Sequence, residues 1–236
     1  MLLADVVLSL HDVRKDYHGL RPLRVQHLEV RQGESVALIG FDLVAAEVLA
    51  SLAIGATLPD AGDVHAFGAL TRSVTTADEW LAAMHRFGIL SERVVLLESF
   101  SVEQNLALPF SLEIDEMPLA LRAQVRALAE EVGLDPGVLA TPVGTLNPTA
   151  LLRVRLAKAL ALRPRVLLAE HPNAALAAEE VSRFAADLAA IAAQRNMAML
   201  VMTADVAFAR AVSNRVLTVR PATGELTPNR GWRDWF

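Results

Sequence analysis

The chain has 236 residues, enough for one large domain or for a core with a small inserted lobe. Its 53% hydrophobic and 21% charged residues exclude intrinsic disorder over most of the length, and a net charge of -5 gives no positive field for nucleic acid or an anionic membrane. Cysteine is missing, which excludes disulfides and thiolate chemistry. The first ten residues do not resemble a signal peptide, and no apolar run approaches the roughly 18 residues that span a bilayer, so any membrane role must run through a partner.

Alternating and continuous apolar runs predict the strands in the first part of the chain. These strands are residues 6–13, 23–30, 35–39 and 64–67. The run 35–39 is fully apolar, which is typical of a buried central strand. A helical pattern follows over residues 45–54, and a turn at 59–63 leads into the fourth strand.

Two capping boxes mark helix starts in the middle of the chain. Thr76 with Glu79, and Ser101 with Gln104, have the spacing at which two side chains satisfy each other's backbone N–H groups. Apolar residues then recur at helical spacing, so about fifty residues from Glu113 are predicted to be mostly helical. This region is predicted to form an inserted lobe.

Strands and helices alternate again in the last part. Residues 165–169 and 197–202 are predicted strands, and a helix between them has one apolar face. That face consists of Val181, Phe184, Leu188 and Ile191. Alternation of this kind predicts an α/β core with a largely parallel sheet.

Segments from about Leu8 to Val219 resemble, in order, the ATP-binding subunit of ATP-binding cassette (ABC) transporters. The segments that carry the resemblance are Tyr17 and residues 33–40, 60–64, 101–109, 143–146, 153–160, 163–168 and 172–176. The resemblance implies an α/β, P-loop NTPase-like core with a mostly parallel sheet, an antiparallel β subdomain and an inserted α-helical lobe. It also implies a single nucleotide-binding domain over 1–236, with its core at about 1–92 and 163–236 and its lobe at about 93–162.

The chemistry of the phosphate loop departs from that family. Such a loop needs glycines to wrap the phosphates, a lysine for their oxygens and a hydroxyl for magnesium. Residues 40–47 keep only Gly40, while Ala46 stands at the lysine position and Glu47 at the hydroxyl position. A carboxylate about 4 Å from a phosphate opposes binding by about 4 kcal/mol at an effective dielectric near 20. The resemblance assigns ATP binding to Tyr17, Gly40, Asp42, Ala45, Ala46, Glu47 and Glu92.

The other positions that carry chemistry in the family are altered too. Glu170 stands at the magnesium-associated aspartate, where it could act in catalysis and hold Mg²⁺, and His171 replaces the glutamate that polarises the attacking water. Ala204 stands at the switch histidine, and Ala177 replaces the aspartate of a dimer-contacting loop. The signature motif is replaced by the residues Leu146, Asn147, Pro148, Thr149 and Ala150.

The resemblance therefore implies a cassette subunit with degenerate ATP hydrolysis that docks on a membrane permease or regulates it at the inner, cytoplasmic face. Its partners would be the permease and a second cassette, in a homodimer or heterodimer, and the coupling surface is expected near Glu92 and Asn105. One alternative keeps ATP and magnesium binding and hydrolysis. A third, non-catalytic function reuses an acidic pocket of Asp42, Glu47 and Glu170 for a cation or a cationic metabolite.

Other functions have little support. The six histidines never form the i, i+4 pair of a zinc-binding helix, and basic spots such as Arg153 with Arg155 lack the interleaved aromatics of a nucleic-acid site. The last five residues contain two of the three tryptophans. This tail either packs on its own sheet or anchors a partner subunit.

Overall fold

The computed structural model describes residues 5–114 and 116–229 and contains two β-sheets. The smaller sheet is antiparallel, with strand order β2-β1-β4-β5. Its strands are β1 (Val6–Lys15), β2 (Leu23–Arg31), β4 (Ala61–Ala66) and β5 (Ala69–Leu70). The aromatic tail considered above lies outside the described residues.

The larger sheet has six strands in the order β10-β9-β3-β8-β7-β6, and every pairing in it is parallel except that of β10 with β9. Its strands are β3 (Ser35–Ile39), β6 (Phe87–Leu90), β7 (Val166–Glu170), β8 (Ala198–Met202), β9 (Arg215–Arg220) and β10 (Glu225–Pro228). All residues of β7 and β8 are buried, which explains their continuous apolar sequence.

Seven α-helices surround the sheets within the described residues. They are α1 (Leu43–Ala53), α2 (Ala77–Met84), α3 (Val102–Ala107), α4 (Leu119–Glu131), α5 (Pro148–Leu160), α6 (Ala178–Gln194) and α7 (Val206–Val212). Both predicted capping boxes are confirmed, at the starts of α2 and α3. Helices α3 to α5 lie in the chain between β6 and β7, so the helical insertion connects two strands that are neighbours in the sheet. None of the helices described is long and apolar enough to cross a membrane.

The six-stranded sheet separates two hydrophobic cores. Leu167 and Met199 face one core, which contains the apolar sides of α4, α5 and α6, whereas Leu168 and Leu200 face the other core with α1 and the antiparallel sheet. The predicted apolar face of α6 is confirmed, since Phe184, Leu188 and Ile191 are buried and Val181 packs against the same core. The fold class predicted from the sequence is confirmed.

Both predicted helical regions are confirmed, with two differences in detail. The helix predicted over 45–54 begins at Leu43, because the side chain of Asp42 caps it there. The stretch from Glu113 is mostly helical as predicted, and it contains two separate helices, because α4 ends at Glu131 and α5 begins only at Pro148. Gly133 has a φ of +70° after α4, and such a left-handed conformation ends a helix.

Candidate functional site

The amino-terminus of α1 lies where a phosphate loop was predicted. Gly40 follows β3 with a φ of +99°, and a Cβ atom there would lie 3.0 Å from Cγ1 of Val219, so both conformation and space favour glycine. The Asp42 carboxylate then accepts a hydrogen bond of 2.7 Å from the backbone N–H of Ala45. An N–H group that could face a bound anion is therefore already satisfied by a side chain of the same loop.

The residues that follow in α1 point in different directions. Ala46 is completely buried in the core that lies against the antiparallel sheet, so the position predicted for a phosphate-binding lysine does not face the site. Glu47 does face it, with a half-exposed carboxylate. The helix thus presents a negative charge, in place of an ammonium group, to any anion at this site.

Arg93 is the central residue of the site, and the sequence analysis missed it. Its guanidinium donates hydrogen bonds of 2.9 and 2.7 Å, one to each oxygen of the Glu170 carboxylate. It also lies 3.6 Å from the carboxylate of Glu47. The hydrogen bonds that Arg93 donates to Glu170, together with the negative charges of Glu170 and Glu47, raise the pKa of Arg93 although partial burial opposes this. One guanidinium therefore joins α1 to the end of β7.

Both oxygens of the Glu170 carboxylate accept hydrogen bonds from neighbouring side chains. Its side chain is only 5% exposed, and besides Arg93 it accepts a hydrogen bond of 2.8 Å from the Ser91 hydroxyl. A bidentate guanidinium is the pairing that a buried carboxylate needs. Parallel pairing of β6 with β7 places Leu90 beside Ala169, so Ser91 and Glu170 follow at the same sheet edge.

His171 follows Glu170 with a strained backbone, at a φ of +45°. Its N–H donates to the carbonyl of Met202 at 2.8 Å, and its ring Nε2 is buried with no hydrogen-bond partner in the described part of the chain. The side chain lines a cavity of about 250 Å³ together with Leu43, Glu47, Ser91, Glu92, Arg93, Glu170 and Ala174. The two predicted catalytic residues, Glu170 and His171, are therefore brought together beside Arg93.

A second cavity, of about 580 Å³, contains the other predicted nucleotide-binding residues. Tyr17, Gly40, Asp42 and Ala45 line it. Burial and the nearby charge of Asp42 raise the pKa of the Tyr17 hydroxyl. The seven predicted residues are thus divided: four line this cavity, Glu47 and Glu92 line the smaller one, and Ala46 lines neither.

The acidic pocket considered from the sequence is not formed. Asp42 lies in the Tyr17 cavity, whereas Glu47 and Glu170 share Arg93 in the other. Among the described residues no group of three or more histidine or acidic side chains is arranged to hold a metal ion. The charge of the smaller cavity is balanced by an arginine.

No family model matches the chain. The methionine import ATP-binding protein MetN of Brucella abortus (strain 2308) is 30% identical over 216 residues, which cover 90% of this chain and 57% of that protein. The sulfate/thiosulfate import ATP-binding protein CysA 2 of Chromobacterium violaceum is 29% identical over 220 residues, or 93% of this chain and 58% of that one. The chain thus spans little more than half the length of these curated relatives.

Solved structures share the fold. A dimeric post-hydrolysis state of the ATP-binding cassette MJ0796 with ADP and Pi matches with a TM-score of 0.78 at 20% identity, covering 95% of this chain and all of that one. The cbiO1 subunit from Clostridium perfringens matches with a TM-score of 0.79 at 19% identity, covering 94% and 87%. The chain belongs to the ATP-binding cassette family. The predicted family is thereby confirmed.

The position of the signature motif in this cassette is a capped helix start. The Asn147 side chain accepts from the N–H of Ala150 at 2.8 Å, and Pro148 occupies the first turn of α5. Ala204 is exposed after β8, and Ala177 precedes α6 without any side-chain capping bond. The signature position therefore holds a helix-capping asparagine, and the other two positions hold alanines.

Asn105, which the sequence placed near the expected coupling surface, lies inside the protein beneath that region. Asn105 of the cassette is completely buried and exchanges hydrogen bonds of 2.8 and 3.0 Å with the N–H and the carbonyl of Leu97. Its amide also donates to the carbonyls of Phe100 and Ser101. Asn105 therefore fixes the segment before α3 from beneath, and only Glu92 of the two named residues is exposed.

Arg153, part of a predicted basic spot, is likewise buried and pairs with Asp187 at 2.6 Å.

Proposed function

We propose that this cassette is the non-hydrolysing subunit of an ABC transport system, docking on a membrane permease and regulating it from the cytoplasmic face. The names of its relatives support the transport role, since MetN and CysA 2 are import ATP-binding proteins and cbiO1 is part of an ABC transporter complex. The loss of hydrolysis rests on one observation, the guanidinium of Arg93 held between Glu170 and Glu47.

The magnesium side of the site does not fit a metal-bound triphosphate. Magnesium in such sites needs a free carboxylate oxygen and usually several waters. Both oxygens of Glu170 are already paired with Arg93, at 2.7 and 2.9 Å. Mg²⁺ there would compete with Arg93 for the same carboxylate oxygens, and two cations would lie close together.

The phosphate side does not fit either. The phosphate-binding ammonium group is missing because alanine occupies position 46, and the carboxylate of Glu47 faces the cavity. Asp42 adds a second carboxylate at the start of α1 and uses the N–H of Ala45 for its own cap. The negative charges of the two carboxylates and the loss of the Ala45 N–H as a donor both weaken the binding of a phosphate.

The docking surface is proposed to be the segment between β6 and α3. Val95 and Leu97 expose 71% and 38% of their surface there. The Lys158 ammonium group donates to the carbonyl of Val95 at 2.9 Å, and Asn105 fixes Leu97, so the segment is held in one shape. The segment joins the proposed core, about residues 1–92 and 163–236, to the proposed helical lobe at about 93–162.

The test combines binding, turnover and docking. Calorimetric titration with ATP and magnesium is expected to give no saturable heat up to about 1 mM nucleotide, and ATP turnover is expected to be the same for the natural chain and Glu170→Gln. Co-purification with its permease should be weakened by Val95→Asp and unchanged by Leu162→Asp, a control at an exposed apolar residue outside the proposed docking surface. Turnover that disappears in Glu170→Gln would overturn the loss of hydrolysis.

The Tyr17 cavity favours a second candidate, nucleotide binding without hydrolysis. Its volume of about 580 Å³ and its aromatic wall suit a nucleoside, although the phosphates would meet Asp42. In this case titration would give saturable binding that Tyr17→Ala weakens, while turnover stays absent. Loss of binding in Tyr17→Ala would distinguish this function from the first.

A further inference from the structure

Three histidines lie side by side on the outer face of the antiparallel sheet. His11 on β1 is directly opposite His27 on β2, and Ser9, two residues before His11 on the same face, is opposite His65 on β4. Strand pairing brings the three residues together, although His27 is 16 positions after His11 and His65 is 38 positions after His27. No part of the proposed ABC function uses them.

The His11 and His27 rings are placed as a pair of ligands would be. Their Nδ1 atoms are 3.2 Å apart, and their ring centroids are 4.9 Å apart with planes tilted by 49°. Two nitrogens bound about 2.0 to 2.1 Å from one tetrahedral zinc ion lie about 3.3 Å apart, by the geometry of the tetrahedron. The observed spacing therefore matches one edge of a tetrahedral site.

The surroundings of the pair are suited to a cation. A cavity of about 290 Å³ beside it is lined by His11, Glu29 and His65, among other residues. The ring of His65 lies 6.3 Å from that of His11, and its Nδ1 is buried without a hydrogen-bond partner in the described part of the chain. Glu29 pairs with Arg31 and adds a negative charge near the two rings without being placed as a ligand.

We propose that His11 and His27 bind one divalent transition-metal ion, of the zinc, nickel or copper class, between β1 and β2. Imidazole nitrogen suits these metals, whereas magnesium and calcium prefer oxygen ligands. The two histidines are the ligands in place, since the described residues gather no third histidine or acidic ligand around them, and water completes the coordination. The site is separate from the Glu170 and Arg93 cavity and independent of ATP.

The experiment is a calorimetric titration of the tag-free full chain with ZnCl₂ in a buffer that does not bind metal. One zinc ion per chain is expected with a Kd below about 1 mM. His11→Gln and His27→Gln should each weaken binding at least about tenfold, because each removes one of two ligands. His85→Gln, at an exposed histidine at the end of α2, is the matched control and should bind as the natural chain does.

A second readout keeps the test decisive if one variant folds poorly. Zinc should raise the Tm of the natural chain and of His85→Gln but not of His27→Gln, whose side chain is exposed and dispensable for packing. Unchanged affinity in both His11→Gln and His27→Gln, or the absence of saturable binding in the natural chain, would overturn the proposal. The pair would then be joined only by an N–H···N hydrogen bond.

Discussion

Replacing Arg93 by alanine tests the architecture of the site most directly. The change removes two hydrogen bonds to Glu170, whose side chain is 5% exposed, and leaves only the Ser91 hydroxyl on that carboxylate. Breaking a fully buried pair costs about 3 to 5 kcal/mol, and an exposed pair contributes about 0 to 1 kcal/mol. Because Arg93 itself is 39% exposed, we expect the free energy of unfolding to fall by about 2 kcal/mol.

The assay is urea unfolding followed by circular dichroism, with a thermal melt beside it. A loss of about 2 kcal/mol corresponds to a Tm lower by about 4 to 8 °C for a chain of this size. Arg220→Ala is the control, because Arg220 forms an exposed pair with Glu225 at 2.7 Å, and it should change the free energy of unfolding by less than about 0.5 kcal/mol.

A double-mutant cycle isolates the pair. In a Glu170→Gln background, Arg93→Ala should cost less, with a coupling energy of about 1 to 2 kcal/mol. If Arg93→Ala costs no more than Arg220→Ala, or if the coupling energy is near zero, Arg93 does not act as the counter-ion of Glu170 and does not oppose magnesium binding there.

Three further predictions follow from other parts of the fold. Ala46→Lys should lower the free energy of unfolding by at least about 2 kcal/mol and should not restore ATP binding, because Ala46 is fully buried. Val44 is exposed in the same turn, so Val44→Lys should leave the free energy of unfolding nearly unchanged. Equal melting temperatures for the two variants would contradict the burial of position 46. Asn105→Ala should cost about 2 to 4 kcal/mol in urea unfolding, and Asn105→Asp should be closer to that variant than to the natural chain, because a carboxylate cannot donate to the carbonyls that the amide serves. The pKa of Asp60 is lowered by a hydrogen bond from the N–H of Asp16 and, to a smaller extent, by Lys15, so the Asp60 carboxylate stabilises the fold above the ordinary aspartate pKa and this stabilisation is lost as the pH falls through the lowered pKa. An NMR titration should show a titration midpoint for Asp60 below the ordinary value, and Lys15→Met should move that midpoint back toward it. A midpoint that Lys15→Met leaves unchanged would contradict this prediction.

The fold was largely predictable because its strongest signals are local. The buried strands β3, β7 and β8 are continuous apolar runs, and both capping boxes place their helix starts at the right residue. The start of α1 was misplaced because Asp42 was read as part of a phosphate loop, whereas its carboxylate caps the helix. That choice depends on a backbone conformation that the residue type alone does not specify.

The site was only half predictable, because its decisive contacts join distant parts of the chain. Glu170 was found through the family pattern, but Arg93 lies 77 positions earlier and meets it only because β6 and β7 pair in parallel. A charged residue soon after a buried strand was the available signal, since the carboxyl ends of neighbouring parallel strands share one sheet edge. The pairing of His11 with His27 needed the register of two antiparallel strands, which the sequence did not define.

The guanidinium between Glu47 and Glu170 makes the charge balance of this cavity a property of the polypeptide. A dissolved ion occupies a site only to the extent that its concentration allows, and it leaves when the solution is diluted or chelated. A cation attached three residues after β6 is present at an effective concentration set by the chain, and its ordering is completed when the protein folds. The charge balance among Arg93, Glu47 and Glu170 in this structure is therefore supplied by the chain itself.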